Sequence, residues 1–155
     1  MSFLRPEQII NQITIKPNYT AADFGAGSGG FSLPLAKKLK EGRVYAIDIQ
    51  AETLSALEGA AKAQGLYNIK VILGDLEKEQ GSKLDDSSVD LVFIANLLFQ
   101  SQDRIKVLQE AKRILKPGGK MAIIDWNQNY FFGPKEKAVK PESLDDEVRS
   151  LGLKE

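Results

Sequence analysis

Apolar residues in this chain fall into short β-rich runs that alternate with stretches of helical period. Residues 20–24, 43–47, 69–73, 89–95 and 121–124 form five such runs. The run at 89–95 is apolar at every position but Asp90, the pattern of a central strand covered on both faces. Between the runs the apolar spacing changes to three and four. Phe31, Leu35 and Leu39 predict a helix ending near Lys40, and residues 51–64 predict a second that Gly65 stops. Ile105, Leu108, Ala111 and Leu115 line one side of a helix over 102–115, and Lys116-Pro117-Gly118-Gly119 is a stop-and-turn signal. A short helix over 6–12 opens on Pro6, which suits a first turn. Leu144, Val148 and Leu151 mark a last helix, stopped by Gly152. Residues 77–88 read as a polar loop with room for one helical turn, and 127–140 read as irregular.

Strands alternating with helices predict an α/β fold, a three-layer doubly wound parallel sheet. Right-handed crossovers give five strands the order 3-2-1-4-5. The order reverses between the first and fourth strands, so a ligand is expected there, beyond the strands' carboxyl ends. The 155 residues fit one domain: a lead-in over 1–19, a core over 20–126, and a substrate-side loop and final helix over 127–155.

Composition then removes whole classes of chemistry. Lys plus Arg and Asp plus Glu both number 21, so no net field draws in nucleic acid or a membrane. The basic clusters near 37–40 and 113–120 fall at expected helix ends, where cations complement the helix dipole. Cysteine and histidine are both absent. That rules out thiol nucleophiles, Ser-His and Cys-His triads and imidazole bases, and it disfavours zinc sites. Arg5, Pro6 and Glu7 stand where a signal peptide needs an apolar run, and residues 89–99 are too few to span a bilayer. A cytoplasmic location is expected.

The first strand runs into Gly25-Ala26-Gly27-Ser28-Gly29-Gly30. Glycines after a strand and before a helix let a ligand approach bare backbone and a helix N-terminus. Gly25, Gly27 and Gly30 also satisfy G-x-G-x-x-G, so the loop alone does not separate dinucleotide binders from other nucleotide enzymes. Asp48 ends the second strand about 20 residues later, the distance expected of a carboxylate that accepts both ribose hydroxyls.

Here the chain resembles a known family. Ala22-Asp23-Phe24-Gly25-Ala26-Gly27-Ser28-Gly29 resembles the first motif of class I S-adenosylmethionine-dependent methyltransferases. Tyr45-Ala46-Ile47-Asp48, Gly74-Asp75, Val89-Asp90-Leu91-Val92 and Leu115-Lys116-Pro117-Gly118-Gly119-Lys120 are similar to their later motifs, in order. The resemblance implies S-adenosyl-L-methionine as cofactor. It implies that Asp23 holds the methionine ammonium, aided by backbone at Gly25, Ala26, Gly27 and Gly29. Asp48 binds the ribose and Ile49 packs on adenine. Asp75 accepts from the adenine amine, the Leu76 N–H meets a ring nitrogen, and Asn96 lies near the methyl group.

Methyl transfer is an in-line displacement, so alignment of the reactants supplies most of the catalysis. Without His or Cys, a general base has to be a carboxylate, Tyr or Lys, and Asp125 and Tyr130 are the candidates beside Asn96. Asp125, Asn127, Asn129 and Glu136 echo a calcium loop, but Tyr130 stands where that loop needs glycine, so no metal is expected. A small-molecule acceptor is expected by elimination.

Members of this family usually add two further strands, and this chain lacks them after its fifth. The fifth strand is then an apolar sheet edge, closed either by a homodimer or by the tail over 127–155. Two other functions stay open: a non-catalytic module that binds cofactor or a partner, and a nicotinamide-dependent oxidoreductase. The oxidoreductase lacks a Tyr-x-x-x-Lys pair, because Tyr67 and Lys70 are one residue too close.

Overall fold

The computed structural model describes residues 5–125 and 141–153. Five parallel strands, β1 (Thr20–Phe24), β2 (Arg43–Asp48), β3 (Ile69–Leu73), β4 (Val89–Ala95) and β5 (Leu115–Ile124), form one sheet in the order β3-β2-β1-β4-β5. This is the order expected from the crossovers. β4 sits between β1 and β5, and Leu91 through Ile94 are fully buried. β3 lies at an edge and leaves Lys70 and Leu73 exposed.

The two faces of the sheet carry different helices. α1 (Pro6–Asn11) and α2 (Ser32–Lys38) bury Ile10, Leu35 and Ala36 against Ala21, Val44, Leu91 and Phe93. α3 (Ala51–Ala63) lies on the same side and sets Leu57 on Ala46. Its end follows from Gly65: at φ +67° that residue lets the Leu66 N–H reach back to the Ala61 carbonyl at 2.9 Å. On the other face α4 (Arg104–Ile114) buries Val107, Leu108, Ala111 and Ile114 against Phe24, Ile47, Val92 and Ile94. α5 (Pro141–Ser150) adds Leu144 to that cluster, followed by Leu151. Arg104 clamps Glu147 with both Nε and Nη2, at 2.7 to 2.9 Å, and the Lys112 ammonium donates to the Leu151 carbonyl. Among the described residues, no helix is long and apolar enough to cross a membrane.

Two local expectations need correction. The stop signal at Lys116–Gly119 ends the helix but does not precede the strand. β5 already starts at Leu115, which pairs with Val89, and pairing resumes with Lys120 opposite Leu91. Residues 116–119 bulge out opposite Asp90, because Leu115 gains from pairing before the turn residues leave the ladder. The chain after β4 also makes a short 3-10 turn, Leu98–Gln100, where none was expected. Trp126 and the irregular segment over 127–140 lie outside the described residues.

Candidate functional site

The order reversal between β1 and β4 opens a crevice, as doubly wound sheets require. A cleft of about 350 Å³ lies at that end of the sheet. Gly25 and Gly27 form its floor, Asp48, Ile49, Gln50 and Thr53 one wall, Asp75, Leu76 and Glu77 a second, and Leu97, Gln100, Ser101 and Val107 a third. Six of the expected cofactor residues therefore meet: Gly25, Gly27, Asp48, Ile49, Asp75 and Leu76. Asp23, Ala26, Gly29 and Asn96 are not part of this lining.

The glycine loop owes its shape to two positions above all. Gly27 has φ +55°, and a Cβ there would meet nothing within 4 Å, so its bare face is turned to open space. Gly25 has φ +72°, and a Cβ there would stand 3.0 Å from Leu97 Cδ1, so the loop and the turn after β4 pack without a gap. The Gly25 and Ala26 N–H groups both donate to the Ile47 carbonyl, at 2.9 and 3.0 Å, which ties the loop to the end of β2.

Asp48 follows directly. Its Oδ2 accepts the Gly27 N–H at 2.8 Å and its Oδ1 accepts the Gln50 N–H at 2.9 Å. Two backbone donors fix the carboxylate plane while each oxygen keeps capacity for one more donor. A vicinal diol offers two such donors side by side. Ile49 next to it is 63% exposed, an apolar side chain held open beside a polar acceptor pair. Asp75 faces the cleft from the end of β3, and its Oδ1 accepts the Glu77 N–H at 3.0 Å. Gly74 before it is required by close approach, since a Cβ there would collide with the Gly81 carbonyl.

Asp23 sits beneath the loop, 2% exposed, and accepts the Ser32 hydroxyl at 2.6 Å. Burial pushes its carboxyl up to about 7; the Ser32 hydrogen bond opposes this and repulsion from Asp48 adds to it. A cation arriving at the loop would favour the ionised form. Asn96 is exposed, at φ +56°, and leaves β4 with its N–H on the Ile124 carbonyl at 2.7 Å. Asp125 lies just past β5, and its Oδ2 accepts the Leu98 N–H at 2.8 Å and the Phe99 N–H at 3.4 Å. Tyr130 lies outside the described residues.

Sequence reasoning missed the third wall, which comes from the 3-10 turn and from α4. It also missed a buried polar clamp behind the second. Glu110, 5% exposed, accepts from Ser82 N–H at 2.8 Å and from Arg113 Nε and Nη2 at 2.7 and 2.8 Å. Burial alone raises a carboxyl; here the Arg113 and Ser82 hydrogen bonds outweigh it and hold Glu110 below its ordinary range. Arg113 also donates to the Leu84 carbonyl at 2.7 Å. Together these bonds fasten the segment between β3 and β4, which carries Asp75, Leu76 and Glu77, to α4.

A model of the methyltransferase domain matches residues 15–150. The demethylmenaquinone methyltransferase of Geobacillus stearothermophilus is 30% identical over 128 residues, covering 82% of this chain and 53% of that one. The demethylmenaquinone methyltransferase of Bacillus subtilis is 29% identical over 122 residues, covering 78% and 51%. The chain thus spans about half the length of these relatives. A solved S-adenosylmethionine-dependent methyltransferase from Aquifex aeolicus superimposes with a TM-score of 0.86 at 30% identity, over 96% of this chain and 79% of that one. An arsenic(III) S-adenosylmethionine methyltransferase from Chlamydomonas reinhardtii gives 0.74 at 27% identity, over 86% and 51%. With fold, cleft and kinship in agreement, the chain belongs to the class I, Rossmann-like family of S-adenosylmethionine-dependent methyltransferases.

Proposed function

We propose that this protein binds S-adenosylmethionine in the cleft beyond β1 and β4 and transfers its methyl group to a small-molecule acceptor. One observation carries the reading. Asp48 is held by two backbone N–H groups beside the bare face of Gly27, while Asp75 closes the far side of the same cleft. That arrangement fits an adenosine laid across the sheet ends. Asp48 accepts the ribose hydroxyls, Ile49 packs on the adenine face, Asp75 accepts from its amine, and the Leu76 N–H meets a ring nitrogen. Gly25, Ala26, Gly27 and Gly29 lend backbone to the methionine portion, Asp23 balances its ammonium from below, and Asn96 borders the methyl side. When bound, the cofactor supplies an electrophilic methyl on a positively charged sulfur. The chain's own task is then to align the acceptor and keep water out.

A cytoplasmic location belongs to the same proposal, as does a homodimer contact along the outer edge of β5. Support for that contact is the half-buried apolar run from Met121 to Ile124; a strictly monomeric protein in sedimentation experiments removes it. Demethylmenaquinone is the first acceptor to test, given the relatives. Arsenite is disfavoured, because the chain has no cysteine.

Titration of the purified protein with S-adenosylhomocysteine and with NAD tests the cofactor. Tighter binding of NAD ends the methyltransferase reading. A labelled-methyl screen then tests turnover: firm cofactor binding with no acceptor found would favour a non-catalytic module.

A further inference from the structure

We infer that Asp125 is a positioning residue for the adenosine cleft, fastening the turn after β4 that forms one of its walls. The inference rests on the cofactor reading above. The turn is short, a single 3-10 turn, Leu98–Gln100, entered through Asn96 in the left-handed region at φ +56°. Its local side-chain bonds, from Gln100 and Ser101 to the Asn96 and Leu97 carbonyls at 2.8 and 2.9 Å, leave its first N–H groups to a distant acceptor. Its leading N–H groups have no partner within the turn. Asp125 supplies one from the far end of β5, with Oδ2 on Leu98 and Phe99 N–H. The strand bond just before it, from Asn96 N–H to the Ile124 carbonyl, brings the two ends together.

What the turn carries explains why its place matters. Leu97, Gln100 and Ser101 line the cleft, and Leu97 packs on Gly25 at the base of the loop. Leu98 points the other way, 2% exposed, into the core. Losing the Asp125 acceptor therefore frees a wall of the cleft rather than a reacting group. A general base in the same position would act on the acceptor's proton instead, and the two roles respond differently to an isosteric amide. Asparagine keeps an oxygen that can accept the Leu98 N–H but cannot take a proton at neutral pH.

The test compares wild type, Asp125→Asn, Asp125→Ala and a stability control, Leu39→Ala, whose side chain is buried under α2 far from the turn. Hydrogen exchange at the Leu98 and Phe99 amides of the ligand-free protein is measured beside S-adenosylhomocysteine affinity. We expect Asp125→Ala to lose protection at both amides and to bind about tenfold more weakly. Asp125→Asn should restore both to near wild type, and Leu39→Ala should melt earlier yet bind normally. Wild-type protection and affinity in Asp125→Ala overturn the inference. So does an Asp125→Asn protein that binds normally but loses turnover together with the acidic limb of its pH–rate profile. If wild type itself fails to bind S-adenosylhomocysteine, the cofactor reading falls, and amide exchange still decides whether Asp125 fastens the turn.

Discussion

Replacing Asp23 by asparagine should make the ligand-free protein more stable at alkaline pH while weakening its hold on the cofactor. Asp23 is 2% exposed with Ser32 as its hydrogen-bond donor, and its carboxyl is pushed up to about 7 from an ordinary 3.8. A carboxyl raised on folding binds more protons in the folded than in the unfolded state between those two values. Stability is therefore lost as pH rises through that window and levels off above it. The full span is worth roughly 4 kcal/mol, of which about 2–3 kcal/mol falls between pH 5 and pH 8. Asparagine does not titrate and can still accept the Ser32 hydroxyl, although its buried amide costs roughly 1–3 kcal/mol. The absolute gain is therefore small, and the change in the gap with pH is the firm quantity. At about 3 °C per kcal/mol for a chain of this size, the difference in Tm should grow by roughly 6–9 °C between pH 5 and pH 8. Melts of both proteins followed by circular dichroism read this directly. Because Glu110 titrates alike in both, the comparison isolates Asp23. A gap in Tm that stays constant across this range would refute the reasoning, since Asp23 would then not be a buried acid strained by ionisation. Calorimetry on the same proteins should show the variant binding S-adenosylhomocysteine more weakly, a stability gained at the expense of the site.

Other perturbations separate the remaining parts of the account. Asp48→Asn removes one acceptor and turns an amide toward backbone N–H groups, so S-adenosylhomocysteine affinity should fall about 10- to 100-fold with little change in Tm; unchanged affinity would detach the ribose from Asp48. Gly27→Val strains a residue at φ +55° by about 1–2 kcal/mol and projects methyls into open cleft, so binding should vanish from a protein that still melts cooperatively. Arg113→Ala leaves Glu110 buried without its guanidinium and should cost about 3–5 kcal/mol, a drop in Tm on the order of 10 °C. A loss no larger than that of Asp86→Ala, whose own side chain is 77% exposed, would mean the clamp is not what holds the segment between β3 and β4.

The sheet was legible in the sequence because each strand is a local run of apolar residues and each crossover has one hand. β1, β3 and β4 match residue for residue, and Gly25, Gly27, Asp48 and Asp75 could be expected to meet in one cleft because they sit at strand ends, where motif spacing fixes position. What escaped the sequence depends on partners far along the chain. The 3-10 turn at Leu98–Gln100 is capped from Asp125, 27 residues beyond Leu98, a partner that no local pattern announces. Arg113 read as a cation at a helix end and Glu110 carried no signal, yet Ser82 and Leu84 bond to them from a loop that has no periodic pattern. The start of β5 was misplaced for a related reason: Lys116–Gly119 has the composition of a turn, and only pairing with Val89 shows that the ladder begins before it. Asp23 was placed among the cofactor contacts by motif, whereas its burial beneath the loop follows from α2 packing on the sheet.

A crystal structure of the protein with S-adenosylhomocysteine measures the central claim most directly. The account predicts both ribose hydroxyls within hydrogen-bond distance of the Asp48 carboxylate, the adenine against Ile49, and its amine on Asp75. A nucleoside seated elsewhere, or one whose ribose turns away from Asp48, contradicts it.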